Sequence, residues 1–575
     1  MPSSRSPAQA EPACGPVGRY AEVDRRKAAG ATYTPTELAR FIAEHMVAAA
    51  GDRLNRSELT LLDPALGDGA LALALLEALG GETAGRVVLR GFETDGQAAE
   101  VARRRISERF PEVGLDIQVG DFLRAHAAGS VPTSDLIIAN PPYVRAQVIG
   151  AKAAQKLADR FGLTGRVDLY QAFLLAMVAT LDEGGVLGAI TSNRFLCTRG
   201  AAAFRRALLA QLEIRHLWDL GDTKPFDAAV LPALLVAVGR SETAGDGPAR
   251  FTTIYQCAQP ADSARGDVIT SLDHEGVVRL PDGRYFRVRQ GTLSYEHPGG
   301  VWRLSSPAID DWRKRVTDHT PRLVGSLGKI RVGVKTTADE VFIRDDWEQQ
   351  PADQIPELLL PLITHHGAAR YCAVSGDKRI VYPHLATGRG RVVAELDDYP
   401  RMARYLEQHR GRLAGRAYVR EAGRRWYELW VPHDPAAWAR PKLVFRDICD
   451  RPTFWLDESG AVVNGDCYWL CCEQPAEEEW LWLALGVCNS SFIETYYDLT
   501  FNNRLYGGRR RFMSQYVEAF PLPRADSDLG LRIAALARQR YGMGAESAAA
   551  AEIEAEVDQL VWQAFGFAGV GDGPG

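Results

Sequence analysis

The chain has 575 residues, of which 46% are hydrophobic and 24% are charged, a composition that excludes fibrous and wholly disordered proteins. Its 67 basic and 73 acidic residues give a formal net charge of −6, so any nucleic-acid partner must bind a local basic patch. The nine cysteines have no regular spacing, and no apolar run has the length of a membrane span. We therefore expect a cytoplasmic protein without disulfides or membrane contact.

The first half of the chain has an alternating β/α pattern. Residues 1–28 are rich in Ser, Pro and Ala and predict a flexible N-terminal tail. From residue 29 to 245, continuous apolar runs alternate with helical patterns, which is typical of a parallel sheet covered by helices on both faces. The predicted strands and helices are Leu59–Leu62, Ala70–Leu79, Val87–Phe92, Gln97–Phe110, Leu136–Ala139, Leu169–Leu181, Gly185–Ile190 and Ala233–Val238.

The second half has a different composition. Residues 246–320 begin with a turn-rich stretch and are predicted to connect two domains. Residues 321–525 contain many tryptophans and arginines, with short strands and no βαβ rhythm, which predicts a mixed α+β domain. Residues 526–575 form a C-terminal helical segment, because apolar side chains recur at helical spacing from Ala548 to Phe565. The layout predicts a catalytic half followed by a recognition half.

Acidic residues follow three successive predicted strands of the first half. Asp63 is followed by a glycine turn, with Gly67 and Gly69, that opens a helix and lets backbone approach a nucleotide-like ligand closely. Glu93 ends the next strand, where a carboxylate can accept both ribose hydroxyls. Asp121 follows the third strand and could accept a hydrogen bond from an adenine amine. Three acidic strand ends in this order indicate an adenosyl ligand.

The fourth predicted strand ends in Asn140-Pro141-Pro142-Tyr143. A turn is one interpretation, since Asn-Pro-Pro commonly stops a strand. The functional interpretation explains each residue. The Asn140 amide oxygen and the Pro141 carbonyl could accept both hydrogens of a ring-conjugated amino group, which would free its lone pair to attack a methyl group. Tyr143 offers a flat face for stacking a base.

These motifs, in this order, resemble the S-adenosylmethionine-dependent DNA adenine-N6 methyltransferases of restriction-modification systems, specifically the TaqI type. The resemblance extends upstream to Gly30–Leu38, downstream to Gly165–Leu174, and into the second half at Gly328–Thr336 and Phe520–Pro523. It covers most of the chain. It implies a Rossmann-like class I methyltransferase domain with a mostly parallel sheet at residues 29–245, and a mixed α+β DNA target-recognition domain at residues 321–525.

The resemblance implies roles for individual residues. Asn140, Pro141 and Tyr143 would be catalytic, with Tyr143 and Phe226 stacking an extruded adenine. The implied cofactor-binding residues are Thr34, Asp63, Pro64, Ala65, Leu66, Gly67, Gly69, Glu93, Asp121, Phe122 and Pro142. Leu66 and Asp68 depart from the Cys and Ser that the family often has at these positions, and Leu71 replaces a common Phe. These departures alter the packing of the pocket and leave the needed carboxylates in place.

Two arginine-rich stretches of the second half are interleaved with aromatic residues, which suits contact with phosphates and a DNA groove. A solvated basic surface is the alternative interpretation. The predicted DNA-binding residues are Arg424, Arg425, Lys442, Arg509, Arg510 and Arg511. His365-His366 and the cysteines lack metal-ligand spacing, so we expect no metal site.

The sequence thus predicts an enzyme that transfers a methyl group from S-adenosylmethionine to N6 of a flipped-out adenine in double-stranded DNA, protecting host DNA in a restriction-modification system. Two alternatives stay open. One is an N-methyltransferase that acts on a protein glutamine or on RNA, and the other is a non-catalytic DNA-binding subunit. We expect a monomer whose partners are duplex DNA and any cognate restriction endonuclease that acts on the same site.

Overall fold

A computed structural model describes residues 34–144, 146–164, 167–224, 231–241, 247–257, 259, 263–372, 376–388, 390–501, 504–505, 508–543 and 547–574. The predicted tail and Phe226 lie outside these residues. The chain divides into two compact units near residue 250, the first also taking in Val268–Thr270 and His297–Gly300. The predicted domain limits at residues 245, 320 and 525 stay predictions.

The first unit is built on a mostly parallel sheet, as predicted. Its strands are β1 (Leu59–Asp63), β2 (Val87–Glu93), β3 (Gly114–Val119), β4 (Ser134–Ala139), β5 (Leu181–Ser192), β6 (Leu212–Asp219) and β7 (Pro232–Gly239). They lie in the order β3-β2-β1-β4-β5-β7-β6, and β7 alone runs antiparallel to its neighbours in this set. The chain order reverses between β1 and β4, and such a switch point opens a crevice at the carboxyl ends of the strands.

Helices accompany the strands of the first unit. They are α1 (Thr36–Ala50), α2 (Ala70–Leu79), α3 (Gly81–Ala84), α4 (Gly96–Arg109), α5 (Phe122–Ala127), α6 (Ala146–Ile149), α7 (Ala151–Arg160), α8 (Leu169–Ala179), α9 (Arg194–Cys197) and α10 (Ala202–Gln211). The Asp95 side chain accepts the backbone N–H groups of Gln97 and Ala98 and so caps α4. α8 is apolar on all sides and buried from Tyr170 to Val178, which is typical of a helix inside a domain.

The second unit has many short strands. They are β8 (Arg250–Cys257), β9 (Ala264–Arg265), β10 (Gly276–Arg279), β11 (Tyr285–Ser294), β12 (Arg303–Ser305), β13 (Arg322–Leu323), β14 (Arg331–Val332), β15 (Ile343–Arg344), β16 (Leu359–Ile363), β17 (Arg379–Val381), β18 (His384–Thr387), β19 (Gly390–Val393), β20 (Lys442–Arg446), β21 (Ile448–Cys449), β22 (Phe454–Asp457), β23 (Val462–Val463), β24 (Cys467–Leu470), β25 (Arg510–Arg511) and β26 (Pro521–Leu522). Two four-stranded sheets, β14-β24-β20-β22 and β15-β17-β16-β23, enclose a core that includes Trp438, Trp455 and Trp469.

The helices of the second unit are α11 (Pro307–Asp318), α12 (Asp339–Phe342), α13 (Pro400–Gln408), α14 (Arg410–Ala414), α15 (Ala417–Glu421), α16 (Glu479–Cys488), α17 (Ser491–Thr500), α18 (Ser514–Val517), α19 (Asp528–Tyr541) and α20 (Ala548–Ala564). The predicted C-terminal helix is therefore confirmed as α20. None of the helices in the described ranges is long and apolar enough to cross a bilayer.

Candidate functional site

The carboxyl ends of neighbouring strands bring the predicted polar residues to one edge of the sheet. β1 pairs in parallel with β2, placing Asp63 opposite Gly91, and with β4, placing Leu62 opposite Ile137. Because these strands run in the same direction, Asp63, Glu93 and the residues that follow β4 meet at the same edge.

The glycine turn after β1 is fixed to the end of β2. Gly67 and Gly69 have φ values of +55° and +82°, left-handed conformations that favour glycine. The Gly67 N–H donates to Glu93 Oε2 at 2.9 Å, and the Leu66 N–H donates to the Phe92 carbonyl at 3.0 Å. Glu93 Oε1 accepts the Asp95 N–H at 2.8 Å. The turn and the Glu93 carboxylate are therefore held together.

Two of the departures from the family pattern, Leu66 and Asp68, each have a local partner. A Cβ atom at Gly91 would lie only 2.7 Å from Leu66 Cδ2, so the bulky Leu66 is accommodated because β2 carries a glycine beside it. The Asp68 carboxylate pairs with Arg105 of α4 at 2.6 Å. Both substitutions are absorbed within the turn and its neighbours.

Asp63 is fully buried at the end of β1. Its Oδ1 atom accepts the Ala65 N–H at 3.1 Å, whereas Oδ2 is buried without a hydrogen-bond partner among the described residues. Burial raises the pKa of Asp63 to about 7, opposed by the hydrogen bond from Ala65 and reinforced by the nearby carboxylates of Glu93 and Asp68. A buried carboxylate oxygen without a hydrogen-bond partner is suited to bind a ligand that brings a hydrogen-bond donor or a positive charge.

Aromatic rings lie beside Asp121, which caps α5 by accepting the Arg124 N–H at 3.1 Å. The buried Phe122 ring lies 5.6 Å from Phe92 and 5.6 Å from Phe173, measured between ring centroids. Phe92 and Phe173 were not among the predicted site residues. Phe173 belongs to the block 165–174 that carried the resemblance, and that block was the signal available for it.

The segment after β4 is held from two sides. Asn140 Nδ2 donates to Thr34 Oγ1 at 3.2 Å, which directs the Asn140 amide oxygen away from Thr34. The Leu169 N–H at the start of α8 donates to the Val144 carbonyl at 3.0 Å. The Tyr143 hydroxyl is buried without a hydrogen-bond partner among the described residues, and this burial raises the pKa of Tyr143. Tyr143 is therefore a neutral phenol at physiological pH.

The structure contradicts two of the predicted DNA contacts. Lys442 is fully buried, donates to the Trp438 carbonyl at 2.7 Å and pairs with Asp457. Arg510 is also buried, and it pairs with Asp498 at 2.8 Å. Predicting these two as DNA-binding residues was wrong, because each basic side chain is held inside the unit by a carboxylate.

The other four predicted contacts stay predictions. Arg425 pairs with Glu395 at 2.6 Å and is exposed, while Arg511 pairs with Asp447 at 3.1 Å. Arg424 is half-buried and donates to backbone carbonyls, and Arg509 is exposed.

Comparisons with known proteins match both halves of the chain. The family model of the Eco57I restriction-modification methylase matches residues 90–226, and that of the TaqI-like C-terminal specificity domain matches residues 398–522. The type II methyltransferase M.BanIII of Aneurinibacillus aneurinilyticus is 34% identical, over 94% of this chain and 98% of that protein. The type II methyltransferase M.PaeR7I of Pseudomonas aeruginosa is 26% identical, over 87% of this chain and 86% of that protein.

A solved structure shares the fold. The type IIL restriction-modification enzyme MmeI, determined in complex with DNA, aligns with a TM-score of 0.58 at 13% identity. The alignment covers 93% of this chain and 73% of that chain.

Proposed function

The chain belongs to the type II methyltransferases of restriction-modification systems, and from that premise we propose that it methylates N6 of adenine within one short sequence of duplex DNA. Membership confirms the predicted resemblance to TaqI-type enzymes, the class I methyltransferase fold followed by a specificity domain, and S-adenosylmethionine as the cofactor. We further propose that the modification protects host DNA against a cognate endonuclease, and that the enzyme acts as a monomer.

The residues at the carboxyl ends of the strands fit the cofactor. The buried Asp63 Oδ2, which has no hydrogen-bond partner among the described residues, suits the ammonium of the methionine moiety, and Thr34 and the backbone of residues 64–66 would line the same moiety. Glu93 would accept the ribose hydroxyls, and Asp121 and Phe122 would hold the adenine. When bound, S-adenosylmethionine supplies a methyl group on a sulfonium, which an amine can attack directly.

The main observation that supports an amino nitrogen as the methyl acceptor is the hydrogen bond from Asn140 Nδ2 to Thr34 Oγ1. It orients the Asn140 amide so that Oδ1 can accept one hydrogen of a target amine. The Pro141 carbonyl would accept the second hydrogen, and its missing N–H leaves no competing donor. These two acceptors draw the nitrogen toward tetrahedral geometry and orient its lone pair, which is catalysis by positioning and polarisation.

A base inside a duplex must leave the stack before it can reach Asn140. Extrusion costs a few kcal/mol, and stacking on an aromatic side chain is worth about 1–3 kcal/mol per base. The neutral Tyr143 ring is the proposed stacking face, and Phe226 is the proposed second one. Proteins and RNA are the disfavoured substrates, because the curated relatives that match nearly the whole chain are type II methyltransferases.

Long-read modification sequencing tests the proposal. We expect DNA from cells that express the protein to carry N6-methyladenine at one short sequence motif, absent from cells with an empty vector. Methylation of cytosine, or no new DNA methylation from protein that binds S-adenosylmethionine, would overturn it.

The buried Asp63 makes cofactor binding depend on pH. Its pKa of about 7 means that the side chain is largely protonated at pH 6 and must release its proton to pair with an ammonium. Affinity for S-adenosylmethionine should therefore rise with pH, roughly eightfold between pH 6 and pH 7.5, as the ionised fraction of Asp63 grows. Titration calorimetry in buffers of different ionisation enthalpy measures both the affinity and the released proton.

Two variants distinguish the effect of Asp63 on cofactor binding from that of the other proposed cofactor contacts. Asp63→Asn should bind the cofactor weakly and without this pH dependence. Asp121→Asn removes an exposed carboxylate of the same proposed pocket and should weaken binding while retaining the wild-type pH profile. An unchanged pH profile in Asp63→Asn would show that another group is responsible.

A further inference from the structure

Two arginines of β11 lie on one face of a segment outside both regions that the family models match. Successive side chains of a strand point to opposite faces, so Arg287 and Arg289 share a face. Phe286 and Val288, on the opposite face, are buried. Arg287 is exposed and Arg289 is half-buried, so the polar face of β11 carries positive charge.

A third guanidinium joins this face. β8 neighbours β11 in the sheet, and Arg504 donates to the Gln256 carbonyl of β8 at 3.1 Å. Burial raises the pKa of the Cys257 thiol. This rise is opposed by the positive charges of Arg287, Arg504 and Arg289, which each lower the pKa. Burial, together with Arg287 and Arg504, lowers the pKa of Arg289. Arg287 and Arg289 thus lie on β11 and Arg504 contacts the neighbouring β8, and we call these three arginines the arginine cluster.

Arg504 is the one member of the arginine cluster that pairs with a carboxylate among the described residues, and its partner is Asp498. Asp498 is shared between Arg504 and Arg510. Glu275 Oε1 accepts the Gln290 N–H at 2.8 Å. Among the described residues, neither Arg287 nor Arg289 has a carboxylate within ion-pair distance, and the buried Arg289 Nε has no hydrogen-bond partner there. Arg289 Nη2 donates to the Pro574 carbonyl at 3.5 Å, a contact that does not neutralise its charge. Two like charges on one strand face, without a carboxylate partner in the described ranges, suit an anionic ligand.

We propose that Arg287 and Arg289 bind the phosphate backbone of the DNA substrate, making β11 a DNA-contacting element. Guanidinium groups match phosphate oxygens in bidentate geometry. Contacts to phosphate carry no sequence information and fix the position of the duplex on the protein. The inference rests on the proposed function, since it takes DNA as the substrate.

The salt dependence of DNA affinity tests the arginine cluster. Each phosphate that an arginine neutralises adds about 0.9 to the slope of log affinity against log salt, so the Arg287→Gln/Arg289→Gln variant should lower that slope by about 1 to 2. At 0.1 M salt its affinity should fall about eightfold for each arginine–phosphate pair removed, equally for duplexes with and without the recognition sequence. The matched control is Arg524→Gln/Arg532→Gln, which removes the same charge from two exposed arginines that pair with Asp526 and Glu556.

The outcomes separate this inference from the proposed function. A wild-type slope in Arg287→Gln/Arg289→Gln, or an equally reduced slope in the control variant, would overturn the inference while the wild-type enzyme still methylates adenine. The Arg287→Lys/Arg289→Lys variant keeps both charges and should retain most of the slope, so a reduced slope in that variant would also contradict the inference. Failure of the wild-type enzyme to methylate adenine would instead contradict the proposed function, whatever the slopes.

Discussion

Replacing Asn140 by alanine should reduce methyl transfer by about 10²–10³-fold or more, the range found when a single polarising hydrogen-bond group is removed from an active site. The variant loses the proposed acceptor for the target amine and the hydrogen bond to Thr34 Oγ1. Because the substitution removes only the proposed acceptor of the target amine and this hydrogen bond, affinities for S-adenosylmethionine and for duplex DNA should stay near the wild-type values. Single-turnover transfer of a labelled methyl group measures the effect directly.

Graded substitutions make the Asn140 result specific. Asn140→Asp keeps an acceptor oxygen but loses the Nδ2 donor to Thr34, so its rate should lie between those of Asn140→Ala and the wild type. Thr34→Ser keeps the hydroxyl and should retain most of the activity. If Asn140→Ala kept more than about a tenth of the wild-type rate, the assignment of Asn140 as a catalytic residue would fail. A parallel loss of DNA binding would point to a structural role.

Replacing Lys442 by alanine should destabilise the second unit by about 3–5 kcal/mol, because it leaves a buried carboxylate without its cation. Lys442 and Asp457 face each other directly across β20 and β22, and neither is exposed by more than 5%. The Lys442 ammonium also donates to the Trp438 carbonyl, which would lose this donor. Chemical unfolding followed by tryptophan fluorescence measures the change, since Trp438 and Trp455 lie in the same core.

A paired replacement distinguishes the structural role of Lys442 from a DNA contact. Lys442→Met/Asp457→Leu exchanges the buried ion pair for apolar side chains of similar volume, and it should recover most of the lost stability. Its salt-dependent DNA affinity should equal that of the wild type. Weakened DNA binding at wild-type stability in Lys442→Ala would instead restore the original prediction.

The fold of the first unit could be predicted well from the sequence, because the residues of its site lie in short motifs at the ends of strands. An apolar run that ends in an acid and a glycine turn specifies a strand, a turn and a helix, and β1 and α2 lie where this pattern placed them. β6 was not predicted, and neither was the antiparallel direction of β7, because pairing partners distant in the chain decide both.

The sequence alone could not distinguish the buried, ion-paired basic residues of the second unit from those that face solvent. Lys442 and Arg510 are each neutralised by a carboxylate more than ten residues away, Asp457 and Asp498, and the pairing depends on strand register and helix packing. β20 is buried over Lys442–Phe445, so it lacks the polar alternation that would have revealed an inward-pointing charge. Composition indicated a basic stretch without indicating which charges face solvent.

The close approach of Gly91 to Leu66 links the evolutionary histories of these two positions. A methyl group added at residue 91 would lie 2.7 Å from Leu66 Cδ2, so a side chain at 91 requires Leu66 to move or to be replaced by a smaller residue. The reverse order is open, since a smaller residue 66 beside Gly91 causes no clash. Lineages can therefore exchange large and small residues at position 66 while glycine persists at 91, whereas a side chain at 91 makes a return to leucine at 66 costly.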